Sequence, residues 1–183
     1  FAEDGRGIYF QYDDRGVTNI GYVSLVGEFR ILAKHVGGLS LGRPYSSGQF
    51  SVSDNGRLAY THTRYDHPAD VAIVGEDRSE TDGRRVTRLN EDLFAHKSLA
   101  QMEELWVDSS FDGRKIHAWV LKPPSFTSDK KYPLILEIHG GPFANYGDRF
   151  SAEMQLYAAA GYVVLYVNPR GSTSYGNDFA NLI

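Results

Sequence analysis

The feature that most restricts the fold is an order of elements in the second half of the chain. Residues 133–138 form a nearly continuous apolar run, as expected of a strand buried on both faces. His139-Gly140-Gly141-Pro142 breaks it. Residues 148–160 follow with helical spacing: Phe150, Met154, Tyr157 and Ala158 share a face, Asp148 stands at a capping position, and Gly161 at a stop. Residues 162–167 are a second apolar run, closed by Asn168-Pro169-Arg170-Gly171-Ser172, and residues 175–183 begin a second helical pattern. Strand, loop, helix, strand, loop, helix predicts an open parallel α/β sheet whose crossover helices cover its faces.

Just upstream, Leu105-Trp106-Val107 and residues 115–121 read as a hairpin turning at Phe111-Asp112-Gly113, and Lys122-Pro123-Pro124 stops its second strand. Up to about His96 the texture differs. Residues 8–12, 20–25, 29–33, 57–63 and 71–74 are short strand candidates between Gly, Asp and Asn turns, with no long helical spacing among them. Residues 3–10 (Glu-Asp-Gly-Arg-Gly-Ile-Tyr-Phe) resemble residues 53–60 (Ser-Asp-Asn-Gly-Arg-Leu-Ala-Tyr), a spacing of about fifty that suits a four-stranded propeller blade. A generic antiparallel sheet with Asp-Gly turns is the plainer alternative. Charge divides at the same place: residues 1–104 hold 12 basic and 16 acidic side chains, residues 105–183 hold 7 of each. The expected organisation is therefore all-β propeller blades over residues 1–99, then the first strands and helices of an α/β domain over residues 100–183.

A formal charge of −4 is too small to suggest nucleic acid or an acidic membrane as partner. The absence of cysteine removes disulfides, zinc–thiolate sites and thiol nucleophiles. The longest nearly apolar run, residues 157–167, is far below the ~20 residues that span a bilayer. The chain begins at Phe1 without a Met and shows no leader, so it is expected to be a piece of something longer, soluble, and cytoplasmic ahead of periplasmic or secreted.

Chemistry concentrates in the loop after residue 138. Glycine amides at the carboxyl end of a buried parallel strand, free of side-chain shielding, can donate to a developing oxyanion. A Gly-Gly turn and a proline that merely end a strand is the bland reading, and the strand–loop–helix context weighs against it. His139-Gly140-Gly141-Pro142, then Gly161-Tyr162-Val163-Val164, then Asn168-Pro169-Arg170-Gly171-Ser172-Thr173-Ser174-Tyr175-Gly176 closely resemble the prolyl oligopeptidase family of serine peptidases, with greatest similarity to its acylaminoacyl-peptidase and dipeptidyl-aminopeptidase-like branch. The likeness is dense over residues 104–179 and one of style before that. Ser174 stands where the family usually has Gly, which puts the local turn in question.

The resemblance implies a β-propeller followed by the N-terminal part of an α/β-hydrolase fold. It implies cleavage of peptides or acyl-peptides near the amino end through a serine acyl-enzyme, with no cofactor or metal. By the same carry-over, His139, Gly140 and Gly141 line the oxyanion hole; the Gly141 amide is the first choice of donor and Gly140 the second, while His139 shapes the loop. Arg170 holds loop or domain-interface contacts, or is an ordinary ion pair. The Ser, Asp and His of the triad are expected beyond Ile183, so the chain alone is expected to be inactive and its partners to be the remaining hydrolase portion and the other blades. Without such a partner, strand 162–167 would present an open edge. Homo-oligomerisation stays open. An esterase or lipase, and a non-catalytic propeller module with a vestigial hydrolase segment, are the rival readings.

Two patterns invite misreading. Gly38-Leu39-Ser40-Leu41-Gly42 matches the nucleophile-elbow signature, but no apolar strand precedes it, no helix follows it, and it comes before the oxyanion loop, so Ser40 is rejected. His62, Asp66, His67 and Asp70 offer metal-ligand types without ligand spacing, and are read as a strand running into a solvated loop. His35, His96 and His117 form no constellation.

Overall fold

The structure, a computed structural model, describes residues 1–75, 81–141 and 143–183. Strands β1 (Gly7–Asp14), β2 (Val17–Ser24) and β3 (Phe29–Ala33) form an antiparallel three-stranded meander. Its first turn is Arg15-Gly16, both at positive φ (47° and 75°), the two-residue geometry whose twist matches that of the flanking strands. Strands β4 (Phe50–Val52), β5 (Leu58–Arg64), β6 (His67–Val74) and β7 (Arg84–Arg85) form a second antiparallel meander of four. The two sheets enclose one core of Ile20, Tyr22, Leu32, Ala33, Val36, Leu58, Tyr60, Ala72 and Val74.

The repeat seen in the sequence has a structural counterpart. The turn before β1 and the turn before β5 carry a glycine at positive φ, Gly5 (66°) and Gly56 (79°). Each is closed by two backbone bonds, Ala2 N–H to Gly7 O and Gly5 N–H to Ala2 O in one, Ser53 N–H to Arg57 O and Gly56 N–H to Ser53 O in the other, the first loop being one residue longer. These are open sheets, and they do not close into a ring.

After the one-turn helix α1 (Glu91–Phe94) come β8 (Gln101–Asp108), β9 (Lys115–Lys122), β10 (Leu134–Ile138), helix α2 (Ala152–Ala159), β11 (Val163–Asn168) and the one-turn α3 (Asn177–Ala180). The third sheet has the order β10-β11-β9-β8. Only β10 and β11 run parallel, as a strand–helix–strand unit requires; β8–β9 and β9–β11 are antiparallel, so the sheet is mixed rather than wholly parallel. Helix α2 lies over the face carrying Trp119, Leu121, Val164 and Tyr166, and adds Met154 and Ala158 to that core. Trp119 stacks on Tyr166 at 5.2 Å between centroids. Burying side chains of this size contributes about 1.5–3 kcal/mol each.

Four expectations are corrected. Strand β10 is not buried on both faces: Leu134, Leu136 and Ile138 are exposed, because helix α2 covers only the other face of the sheet. The open edges are β10 and β8, not the strand at 162–167, because β11 inserts between β10 and β9 and is paired on both sides. Helix α2 starts at Ala152, not Asp148: the hydroxyl of Ser151 accepts from Met154 N–H and caps it, while the Asp148 carboxylate is drawn away to Arg64 at 2.6 Å. The helical pattern at 175–183 yields only Asn177–Ala180.

Candidate functional site

At the carboxyl end of β10 the chain leaves the sheet at His139. The His139 ring is half-buried, with Nδ1 2.9 Å from Gly140 O and Nε2 2.9 Å from the Ser172 hydroxyl, and it stands edge-on to Tyr146 at 5.1 Å. The imidazole thus ties its own loop to the one that follows β11. Gly140 and Gly141 are exposed, and among the described residues neither amide has a hydrogen-bond partner. Pro142 lies outside the described residues.

The two glycines are not needed for the turn. Neither takes positive φ. A Cβ on Gly140 would meet nothing within 4 Å, and one on Gly141 would come no closer than 3.4 Å to Phe143 N. The sharp reversal falls instead on Phe143, at φ 60°, whose amide donates to Gly171 O at 3.2 Å. What glycine contributes at 140 and 141 is an unshielded backbone, which leaves two adjacent N–H groups open to an approaching oxygen.

Arg170, two residues past β11, grips the β8–β9 turn. Its guanidinium reaches both carboxylate oxygens of Asp112 (2.8 and 3.1 Å), donates to the Ser109 hydroxyl at 2.7 Å, and lies 4.9 Å from the Phe111 ring centroid. The Arg170 contact holds the Asp112 carboxyl down at about 2. All these partners belong to one hairpin of the third sheet.

The loop is also fastened to the first sheet by residues that sequence reasoning did not single out. Arg149 is buried and donates to the Thr18 hydroxyl (2.8 Å), Pro44 O (3.1 Å) and Asn145 Oδ1 (3.3 Å), with Asp13 at 3.6 Å. Asn145 donates in turn to Asp13 Oδ2 and to the Thr173 hydroxyl, both at 2.9 Å. Within a helical sequence pattern an Arg after an Asp reads as a solvated face, so no local signal marked it. His117 is another case. It is buried between Trp106 and Trp119 (centroids at 4.0 and 3.9 Å) and bonded to Tyr175 OH and Glu104. Burial lowers its pKa, with Glu104 opposing. The signal that could have found it was the alternation of His117 with Trp119 on one strand face.

The two decoys resolve differently. Ser40 sits in an irregular loop, and its hydroxyl donates to Arg43 O at 2.9 Å. His62 and Asp70 are not in a solvated loop: they are buried on β5 and β6. His62 stacks on His67 at 5.2 Å, and Asp70 accepts from Thr87, Leu89 N–H and Arg85. Among the described residues no group of three or more His, Asp or Glu is arranged to hold a metal, and no helix is long and apolar enough to cross a membrane.

Residues 148–183 match the family model of the prolyl oligopeptidase family. Together with the relatives below, this match supports a fragment of that family. The chain is 32% identical over 184 residues to the uncharacterized peptidase YuxL of Bacillus subtilis, covering all of this chain and 26% of that protein. It is 46% identical over 185 residues to the probable dipeptidyl-peptidase 5 of Arthroderma benhamiae, covering 96% of this chain and 24% of that protein. Among solved structures it is similar to the acylaminoacyl peptidase of Pyrococcus horikoshii, with a TM-score of 0.75 and 29% identity over 95% of this chain and 25% of that one. The chain therefore spans about a quarter of the length of these relatives.

Proposed function

We propose that the chain is part of a serine peptidase that hydrolyses peptides or acyl-peptides near their amino end, and that it supplies the oxyanion-hole loop. The observation that carries this is the pair of N–H groups at Gly140 and Gly141, without a hydrogen-bond partner among the described residues and standing at the carboxyl end of a parallel strand. The family match, and relatives that are themselves peptidases by name, support it. On this reading residues 1–99 are propeller blades and residues 100–183 open an α/β-hydrolase domain. The nucleophile, base and orienting acid come from the rest of a longer protein.

In the acyl-transfer step a serine oxygen attacks the scissile carbonyl and its oxygen becomes an oxyanion. The Gly141 amide, seconded by Gly140, donates to that oxygen, and His139 holds the loop by its bonds to Gly140 O and Ser172. Losing one such donor costs about 2.7–4 kcal/mol of transition-state stabilisation. The remaining sheet strands would pair with β10, whose Leu134, Leu136 and Ile138 are 50–59% exposed along an open edge.

The test is Gly141→Pro in the longer protein, which deletes the N–H. Turnover of an acyl-peptide should fall ~10²–10³-fold with little change in KM. Unchanged turnover removes Gly141 from the oxyanion hole. Faster hydrolysis of short esters than of acyl-peptides by the unaltered enzyme would favour the esterase reading.

A further inference from the structure

Ser174 has a backbone conformation that a residue with a Cβ rarely adopts, φ 84°. Its neighbours at positive φ, Gly171 and Gly176, are glycines. What holds Ser174 there is the β1–β2 turn, 158 positions away in sequence. Gly16 N–H donates to the Ser174 hydroxyl at 2.8 Å, and Arg15 N–H donates to the Ser174 carbonyl at 2.8 Å. Both inner amides of a two-residue turn thus end on one side chain and its own carbonyl. The fit around that turn is close: a Cβ on Gly16 would press on the Trp119 ring at 2.8 Å, and one on Gly147 would collide with Gly16 O.

From Ser174 the contacts run, residue by residue, to the candidate oxyanion loop. Thr173 N–H donates to Ala144 O at 3.0 Å, and the Thr173 hydroxyl accepts from Asn145. The Ser172 hydroxyl donates to Pro169 O at 2.6 Å and contacts His139 Nε2. Gly171 O accepts from Phe143 N–H. Residues 171–174 therefore touch the first sheet at one end and the 139–145 loop along the rest of their length.

We infer that Ser174 is a positioning residue: its hydroxyl fastens the β1–β2 turn to the loop after β11 and thereby sets the backbone at His139 and Phe143. A glycine would occupy φ 84° without strain but could offer the turn no hydroxyl, so the side chain accounts for a serine at this position. The inference rests on the oxyanion reading for its catalytic meaning and on the contacts alone for the coupling.

Three variants separate the two. Ser174→Gly removes the hydroxyl while relaxing the backbone, so folding is spared. Ser174→Ala removes the hydroxyl and keeps the strain. Ser174→Asn keeps a side-chain acceptor in a residue that tolerates positive φ. Amide exchange of the chain reads the coupling without catalysis. Ser174→Gly and Ser174→Ala should speed exchange at Gly16, Thr173 and Phe143 by about tenfold or more, as expected when protecting bonds open more easily, and Ser174→Asn should restore most of the protection. Faster exchange at Gly16 with Phe143 and Thr173 unmoved would overturn the inference. In the longer protein, Ser174→Gly should lower kcat about tenfold with KM held, since small misplacements of catalytic groups act on the chemical step. Coupling in the exchange experiment, with no loss on Gly141→Pro, would sink the oxyanion reading and leave the coupling standing.

Discussion

The Arg149 guanidinium donates to the hydroxyl of Thr18, 131 positions earlier, at 2.8 Å and in full burial. With Asp13 and Asn145 it forms a polar core joining the first sheet to the loop that follows β10. Removing one member of such a set strands the others without water, so Arg149→Ala should destabilise the chain by about 3–5 kcal/mol in urea titrations. Arg149→Met together with Asp13→Leu should recover a good part of that loss, because no charge is then left buried.

Glycines 147 and 140 should respond oppositely. A methyl at Gly147 runs into the Gly16 backbone, which cannot rotate aside, and Gly147→Ala is expected to cost about 3 kcal/mol or more. A methyl at Gly140 meets open space, and Gly140→Ala should stay within about 0.5 kcal/mol of the parent chain. Paired melting curves of the two variants check this.

Acid should loosen the second sheet before carboxylates are titrated in bulk. His35 and His62 are both lowered from 6.5 to about 4, chiefly by burial; Arg64 adds repulsion at His35, His67 and Arg85 at His62, and Asp82 partly offsets both. The unfolded chain takes up these protons near 6.5 and the folded chain resists until about 4, so stability is complete above 6.5 and drains away as pH falls through that window. Each ring is worth on the order of 3 kcal/mol. Asp148, whose carboxyl burial pushes upward, works in the opposite sense. Urea midpoints between pH 7 and pH 4.5 should drop, and His62→Gln should flatten the decline.

The exposed row Leu134, Leu136 and Ile138 on an edge strand should drive self-association of the chain on its own. Leu136→Lys is expected to raise the concentration at which light scattering appears, without lowering the melting temperature by more than a degree or two. An unchanged threshold would show that association, if any, uses another face.

Fluorophosphonate should leave the chain unlabelled, since the Ser40 hydroxyl is committed to Arg43 O and, among the described residues, no histidine is bonded to it. Label on Ser40 would contradict the rejection of the Gly38–Gly42 signature.

Local order was legible in the amino acids because it depends on short-range rules. The strands at 134–138 and 163–168, the glycine stop at 161 and the glycine turns at residues 5 and 56 fall about where the pattern puts them, although the first run, predicted to be buried on both faces, leaves Leu134, Leu136 and Ile138 exposed. The position of the helix start was not legible, because Asp148 had a distant competitor in Arg64. His62 and Asp70 looked solvated because the segments that cover them, residues 35–36 at His62 and 85–89 at Asp70, lie outside a window of ten residues.

By itself the sequence determined the succession of strands, turns and helix, the glycine pair after Ile138 and the family motifs around it, since these follow from side-chain periodicity and backbone freedom. Tertiary structure alone decided which strand became the edge, that Arg149 and His117 are buried, and that Ser174 meets Gly16. Such contacts join residues more than fifty positions apart, and only closing the chain brings their hydrogen-bonding groups within 3 Å and away from water.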